Sequence, residues 1–125
     1  MEHSEPEFKN DLQQRLFNFA VAIIRLVRKL PVSKESNVIS YQIIKSSTSS
    51  GANYDEAQAA VSKADFANKI GISLKEMRES NYWIRIILAT YDEHDDWLKM
   101  RQESFELMNI LGSIFTKTST KRYPK

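Results

Sequence analysis

The chain has no cysteine, which excludes disulfides and thiolate metal sites and suits a reducing compartment such as the cytoplasm. It has only three glycines and three prolines in 125 residues, and two of the prolines lie near the ends. So few breakers argue against a β-rich fold and for long helices. A long apolar run is also missing. The greasiest stretch, "LFNFAVAII", contains Asn18 and stops at Arg25, far short of the roughly 20 residues a spanning helix needs. The acidic opening "MEHSEPEFKND" has no apolar segment and does not read as a secretory signal. These absences predict a soluble, cytoplasmic, single-domain protein over residues 1–125, long enough for one core and too short for two.

Charge is nearly balanced, with 18 Lys and Arg against 16 Asp and Glu and a net charge of +2, so the total says little about partners. The distribution says more. Residues 92–96 read "DEHDD", whereas the tail 117–125, "KTSTKRYPK", carries Lys117, Lys121, Arg122 and Lys125 and no acid. Such asymmetry can mark an electrostatic partner.

Hydrophobic periodicity predicts four helices, over about residues 10–30, 34–59, 63–91 and 95–118. Asn10 is a good N-cap with Gln13 in a capping-box position. Leu12, Leu16, Phe19, Ala20, Ile23, Val27 and Leu30 form the first apolar stripe, and Pro31 ends the helix. The second stripe is Ile39, Ile43, Ser46, Ser50, Tyr54 and Ala57. Its side chains shrink through "SSTSSGA" rather than stopping, which predicts a close-packing helical face instead of a loop. Serines there can bond back to the carbonyl one turn earlier, and Gly51 costs about 1 kcal/mol against alanine. The third helix repeats Ile70, Met77, Ile84, Tyr91 and Ala67, Leu74, Asn81, Leu88 as a heptad seam. A second face, with Glu76, Glu79 and Trp83, is left for a subunit contact. In the fourth, Leu98, Arg101, Phe105, Met108, Gly112 and Phe115 trace one line, broadened by Trp97, Leu111 and Ile114. Four amphipathic helices with short joints predict an all-α, antiparallel up-down-up-down four-helix bundle.

Catalytic chemistry is sparse. "DEHDD" offers His94 and four carboxylates, but consecutive helical residues point in different directions. Asp95 and Asp96 suit the N-terminal dipole of the fourth helix instead. Glu76 and Glu79 lie one turn apart, but no histidine completes a di-iron Glu-x-x-His pattern; an ion-paired or hydrogen-bonded helix contact is the plainer reading. No nucleophile motif or phosphate-cradling glycine loop is present. The expectation is a non-enzyme without metal or cofactor. The remaining candidates are basic. Arg15, Arg25 and Lys29 lie opposite the main stripe of the first helix, and the end of the fourth helix is expected near Arg15. Together with Lys117, Lys121, Arg122 and Lys125 they could neutralise phosphates, and Tyr123 could stack on a base. The competing reading is ordinary solvated charge, with the tail favoured by the C-terminal dipole of the fourth helix.

The stretches "YQIIKSSTSSGANYDEA" and "FANKIGISLKEMRESNYWIRII" resemble the bacterial four-helix-bundle family encoded in intervening sequences of large-subunit ribosomal RNA genes. Its pattern of small residues, then Ser-x-x-x-Asn-x-x-Glu, falls on Ser49, Asn53 and Glu56. A following Ser, Glu, Glu pattern falls on Ser73, Glu76 and Glu79, with Trp83 one turn on. "FNFAVAIIRLVRKLP" is similar to the family's first helix. One departure is "AQAAVSKAD", where many members have a basic, glycine-rich turn, and it puts a phosphate contact at that corner in doubt. The resemblance implies a ring-shaped homopentamer. Distantly, it extends to the accessory protein of diversity-generating retroelements, a basic pentamer that binds a reverse transcriptase and nucleic acid. The expectation is therefore a homo-oligomer that binds RNA or DNA through basic patches, as an accessory in a ribonucleoprotein, with no membrane role. The alternative is a protein-interaction or scaffold module with a partner protein and no nucleic acid.

Overall fold

The computed structural model describes residue 8, residues 10–92 and residues 94–120. Four helices follow one another: α1 (Asp11–Val27), α2 (Lys34–Gln58), α3 (Lys63–Thr90) and α4 (Asp95–Thr120). The described residues contain no strand. Each helix packs on its neighbours in sequence, and α1 also packs on α4, which closes a four-helix bundle. Ser46 on α2 meets Ser80 on α3, while Ser50 meets Ser73. Rising numbers on one helix match falling numbers on the other, so that pair is antiparallel. No helix among the described residues is long and apolar enough to cross a membrane.

The helix starts follow from their side chains. Asn10 accepts the Gln13 N–H at 2.8 Å, and Ser62 accepts that of Asp65 at 3.0 Å. Ser33 and Ser36 each accept the other's backbone N–H, at 3.1 and 3.0 Å, a reciprocal cap. The first helix is shorter than its apolar spacing predicts. After Val27 the chain tightens, with Lys29 N–H on the Leu26 carbonyl and Leu30 N–H on that of Val27. The second bond satisfies the Val27 carbonyl, which Pro31, having no N–H, cannot.

The small face of α2 lies inside the bundle. Helix α2 runs unbroken through Gly51, and Ser46, Ser47 and Ser50 are fully buried. Ser46 Oγ and Ser80 Oγ share a hydrogen bond of 2.8 Å. Ser50 Oγ lies 2.8 Å from the Ser73 carbonyl, and Ser73 Oγ lies 2.7 Å from that of Ser50. Each helix thus offers the other a hydroxyl donor and a backbone acceptor at the same level. Gly51 faces α1, where an added Cβ would sit 3.7 Å from Leu16 Cβ, an ordinary contact. Gly51→Ala is therefore expected to raise stability by about 0.5–1 kcal/mol, measurable as a higher urea midpoint.

Helix α4 corrects the sequence reading. The buried line is Trp97, Ser104, Leu107 and Leu111. Phe105 is 54% exposed and Arg101 is exposed, so the line through Leu98, Arg101 and Phe105 is a flank. A polar residue, Ser104, stands in the true core line, which is why spacing alone centred the stripe to one side of it; Trp97 and Leu111, expected beside that stripe, are in the core, and Met108 and Phe115 pack against it. The partner of Ser104 is Asn81, whose Nδ2 donates to Ser104 Oγ at 2.9 Å, while Arg85 Nε donates to the side-chain oxygen Asn81 Oδ1 at 2.9 Å. The one polar position of the α3 heptad seam is thus satisfied on both atoms of its amide.

Candidate nucleic-acid interface

Arg15 has an internal task. Its guanidinium reaches across from α1 to α4, with Nε 3.0 Å and Nη2 2.6 Å from the two Glu103 carboxylate oxygens. The same Nη2 donates to Glu106 at 2.8 Å. This fork raises the Arg15 pKa above its ordinary value. Hydrogen bonds from Gln102 and then from Arg15 hold the Glu106 carboxyl below its ordinary value. A depressed carboxyl stabilises the fold above its unfolded pKa and loses that contribution as pH falls through the folded one. The α1–α4 contact is expected to weaken on acidification below the ordinary glutamate range, and Arg15→Gln is expected to flatten that dependence in urea melts run at a series of pH values.

The expected neighbourhood of Arg15 and the basic tail therefore does not form through Lys117. Arg15 lies opposite Glu103 and Glu106, and Lys117 stands eleven residues beyond Glu106, about 16 Å along α4. Arg25 occupies the last turn of α1 and Lys29 the turn that follows it. The antiparallel run of α1 against α4 puts them at the level of the start of α4, at the opposite end of the bundle from Lys117. Lys121, Arg122, Tyr123 and Lys125 lie outside the described residues. Among the described residues, both ion pairs belong to Arg15, so Arg25, Lys29 and Lys117 have no described carboxylate within ion-pair range.

The residues singled out by the family-like pattern divide between core and flank. Ser73 is buried against α2. Ser49 and Asn53 are half-buried on α2, where Asn53 Nδ2 donates to the Ser49 carbonyl at 2.9 Å. Glu56 is exposed, and Glu76 and Glu79 are half-buried on α3. Trp83 Nε1 donates to Glu79 at 3.2 Å, which makes that carboxylate a helix-surface partner of the indole. The sequence reading missed a set of cations on α3 and the facing side of α4: Lys75, Arg78, Arg85 and Arg101. The signal was present, since Lys75, Arg78, Tyr82 and Arg85 recur at three- and four-residue spacing on one exposed face.

Comparison with known proteins fits this architecture. The family model described as 23S rRNA-intervening sequence protein matches residues 9–113. A solved structure of a protein with unknown function from the S23 ribosomal protein family of Bacteroides thetaiotaomicron VPI-5482 superposes with a TM-score of 0.76. It is 37% identical and the match covers 84% of this chain and 98% of the other. No curated protein matches the chain. The chain belongs to the 23S rRNA-intervening sequence protein family.

Proposed function

We propose that this protein is a non-enzymatic, homo-oligomeric bundle that binds the backbone of RNA or DNA as an accessory within a ribonucleoprotein. One observation carries the reading: of the described cations only Arg15 is ion-paired. A chain with nearly equal numbers of acids and bases thus leaves Arg25, Lys29 and Lys117 without a partner among the described carboxylates. Such cations release counterions from phosphates with little sequence preference. Lys121, Arg122 and Lys125 add charge beyond Lys117 in sequence. Assembly into a ring homopentamer multiplies weak contacts through effective concentration. The serine face of α2 is used inside the bundle, so the flank of Trp83 is the surface offered to a neighbouring copy. In a ring it would meet a second, different patch.

Fluorescence anisotropy of a labelled structured RNA at a series of salt concentrations tests the binding. The expected result is affinity that falls linearly on a log–log plot against salt. No binding at low salt would favour the scaffold reading. That second reading has its own support: Val38 and Tyr41, one turn apart on α2, are 58% and 65% exposed, an apolar pair that a protein partner would cover. Native mass spectrometry tests assembly, with a single species of five chains expected and a monomer at micromolar concentration counting against it.

A further inference from the structure

The groove between α3 and α4 differs in charge from the α1/α2 and α1/α4 grooves. Three hollows lie along it or on its banks, of about 350, 530 and 310 Å³. Five cations line them, and no aspartate or glutamate does. By contrast, Asp55 lines the hollow between α1 and α2, and Glu103 that between α1 and α4. With only two more bases than acids in the chain, an acid-free groove is a segregation of charge. Arg78 and Lys117 line the central hollow, and Arg85 and Arg101 face each other across the upper one. None of the four lies within ion-pair range of a described carboxylate.

Two aromatic rings accompany these charges. Tyr82 on α3 is 47% exposed and Phe105 on α4 is 54% exposed. The Asn81–Ser104 hydrogen bond sets the register of the two helices and places the two rings within about a turn of each other along the bundle axis, with Phe105 lining the upper hollow. Arg85 is held rather than free, since its Nε is bonded to Asn81 and its guanidinium lies 5.6 Å from the Tyr82 ring centre. Exposed rings beside the held Arg85 guanidinium suit unstacked bases, which present a π-face to any aromatic surface.

We propose that the α3/α4 groove binds single-stranded nucleic acid, with phosphates on Arg78, Arg85, Arg101 and Lys117 and a base stacked against Tyr82 or Phe105. This assignment rests on the nucleic-acid reading above and adds the site, the strandedness and the stacking residues to it. The flank of α4 that sequence spacing marks as core then becomes one wall of the binding groove.

The test uses the full chain, a short labelled single-stranded RNA and its duplex, each titrated at a series of salt concentrations. Arg78→Gln combined with Arg101→Gln removes two exposed charges that make no described side-chain hydrogen bond. It is expected to weaken single-strand binding and to reduce the salt slope by about 1.4. Tyr82→Leu combined with Phe105→Leu is expected to weaken it roughly tenfold or more with the slope unchanged. Lys45→Gln, an exposed charge change on α2, is expected to leave binding as in the wild type, and thermal melts check that each variant is folded. Wild-type binding that both groove variants retain would overturn the groove while leaving the broader reading in place. Duplex bound as tightly as single strand, with no effect of the ring variant, would overturn strandedness and stacking. Absence of wild-type binding to either RNA at low salt would remove the underlying reading and this inference with it.

Discussion

Ser50→Leu is expected to destabilise the bundle by about 3–5 kcal/mol, the sum of overpacking and stranded polar groups. Ser50 is fully buried and its hydroxyl sits 2.8 Å from the Ser73 carbonyl. A leucine there has no space between two helices that approach closely enough to exchange side-chain-to-backbone bonds. It also removes a donor from the Ser73 carbonyl. Helix α2 must then move away from α3, which weakens the neighbouring Ser46–Ser80 contact as well. Ser50→Ala is the informative companion. It keeps the volume small and loses only the hydrogen bonds, so it is expected to cost about 1–2 kcal/mol. Urea denaturation of both variants separates the two contributions. Equal midpoints for Ser50→Leu and wild type would show that the α2–α3 interface is not the close contact described.

The second large effect separates the two faces of α4. Leu107 is fully buried, and Leu107→Ala is expected to cost about 2–5 kcal/mol through lost burial and a residual cavity. Phe105, two residues away, carries the larger apolar side chain, yet its truncation to alanine is expected to stay within about 0.5 kcal/mol, as for other surface changes. The ordering of the two variants is the point: side-chain size predicts one order and burial the other. Phe105→Ala is also expected to weaken binding of single-stranded nucleic acid while melting like the wild type. That combination is the signature of a surface ring kept for contact rather than for folding.

Much of the fold is legible in the sequence because the helix starts are written in side chains. Asn10, Ser33 and Ser62 each cap a helix at the expected place. The α2 stripe is also legible down to the serines, since a period of three and four residues survives when side chains become small. What spacing could not supply is which of two similar stripes a helix buries. On α4, Ser104 interrupts the buried line, and only its hydrogen bond with Asn81 across the interface makes it a core residue. Arg15 illustrates the same difficulty at the surface. Its position opposite the apolar stripe suggested a free cation, but Glu103 and Glu106 on a distant part of the chain claim it. The cations of the α3/α4 groove were individually visible, and their convergence depends on the antiparallel register that brings Arg85 opposite Arg101. Family membership supports the bundle and leaves the site to be argued from these contacts.

The central claim is that nucleic acid lies across α3 and α4. Photo-crosslinking with a single-stranded RNA carrying photoreactive bases, followed by peptide mass spectrometry, tests it most directly. The account predicts crosslinks on the peptides that contain Tyr82 and Phe105, lost when excess unlabelled single strand competes. Crosslinks confined to α1, α2 or the tail after Thr120, with none on α3 or α4, would contradict it.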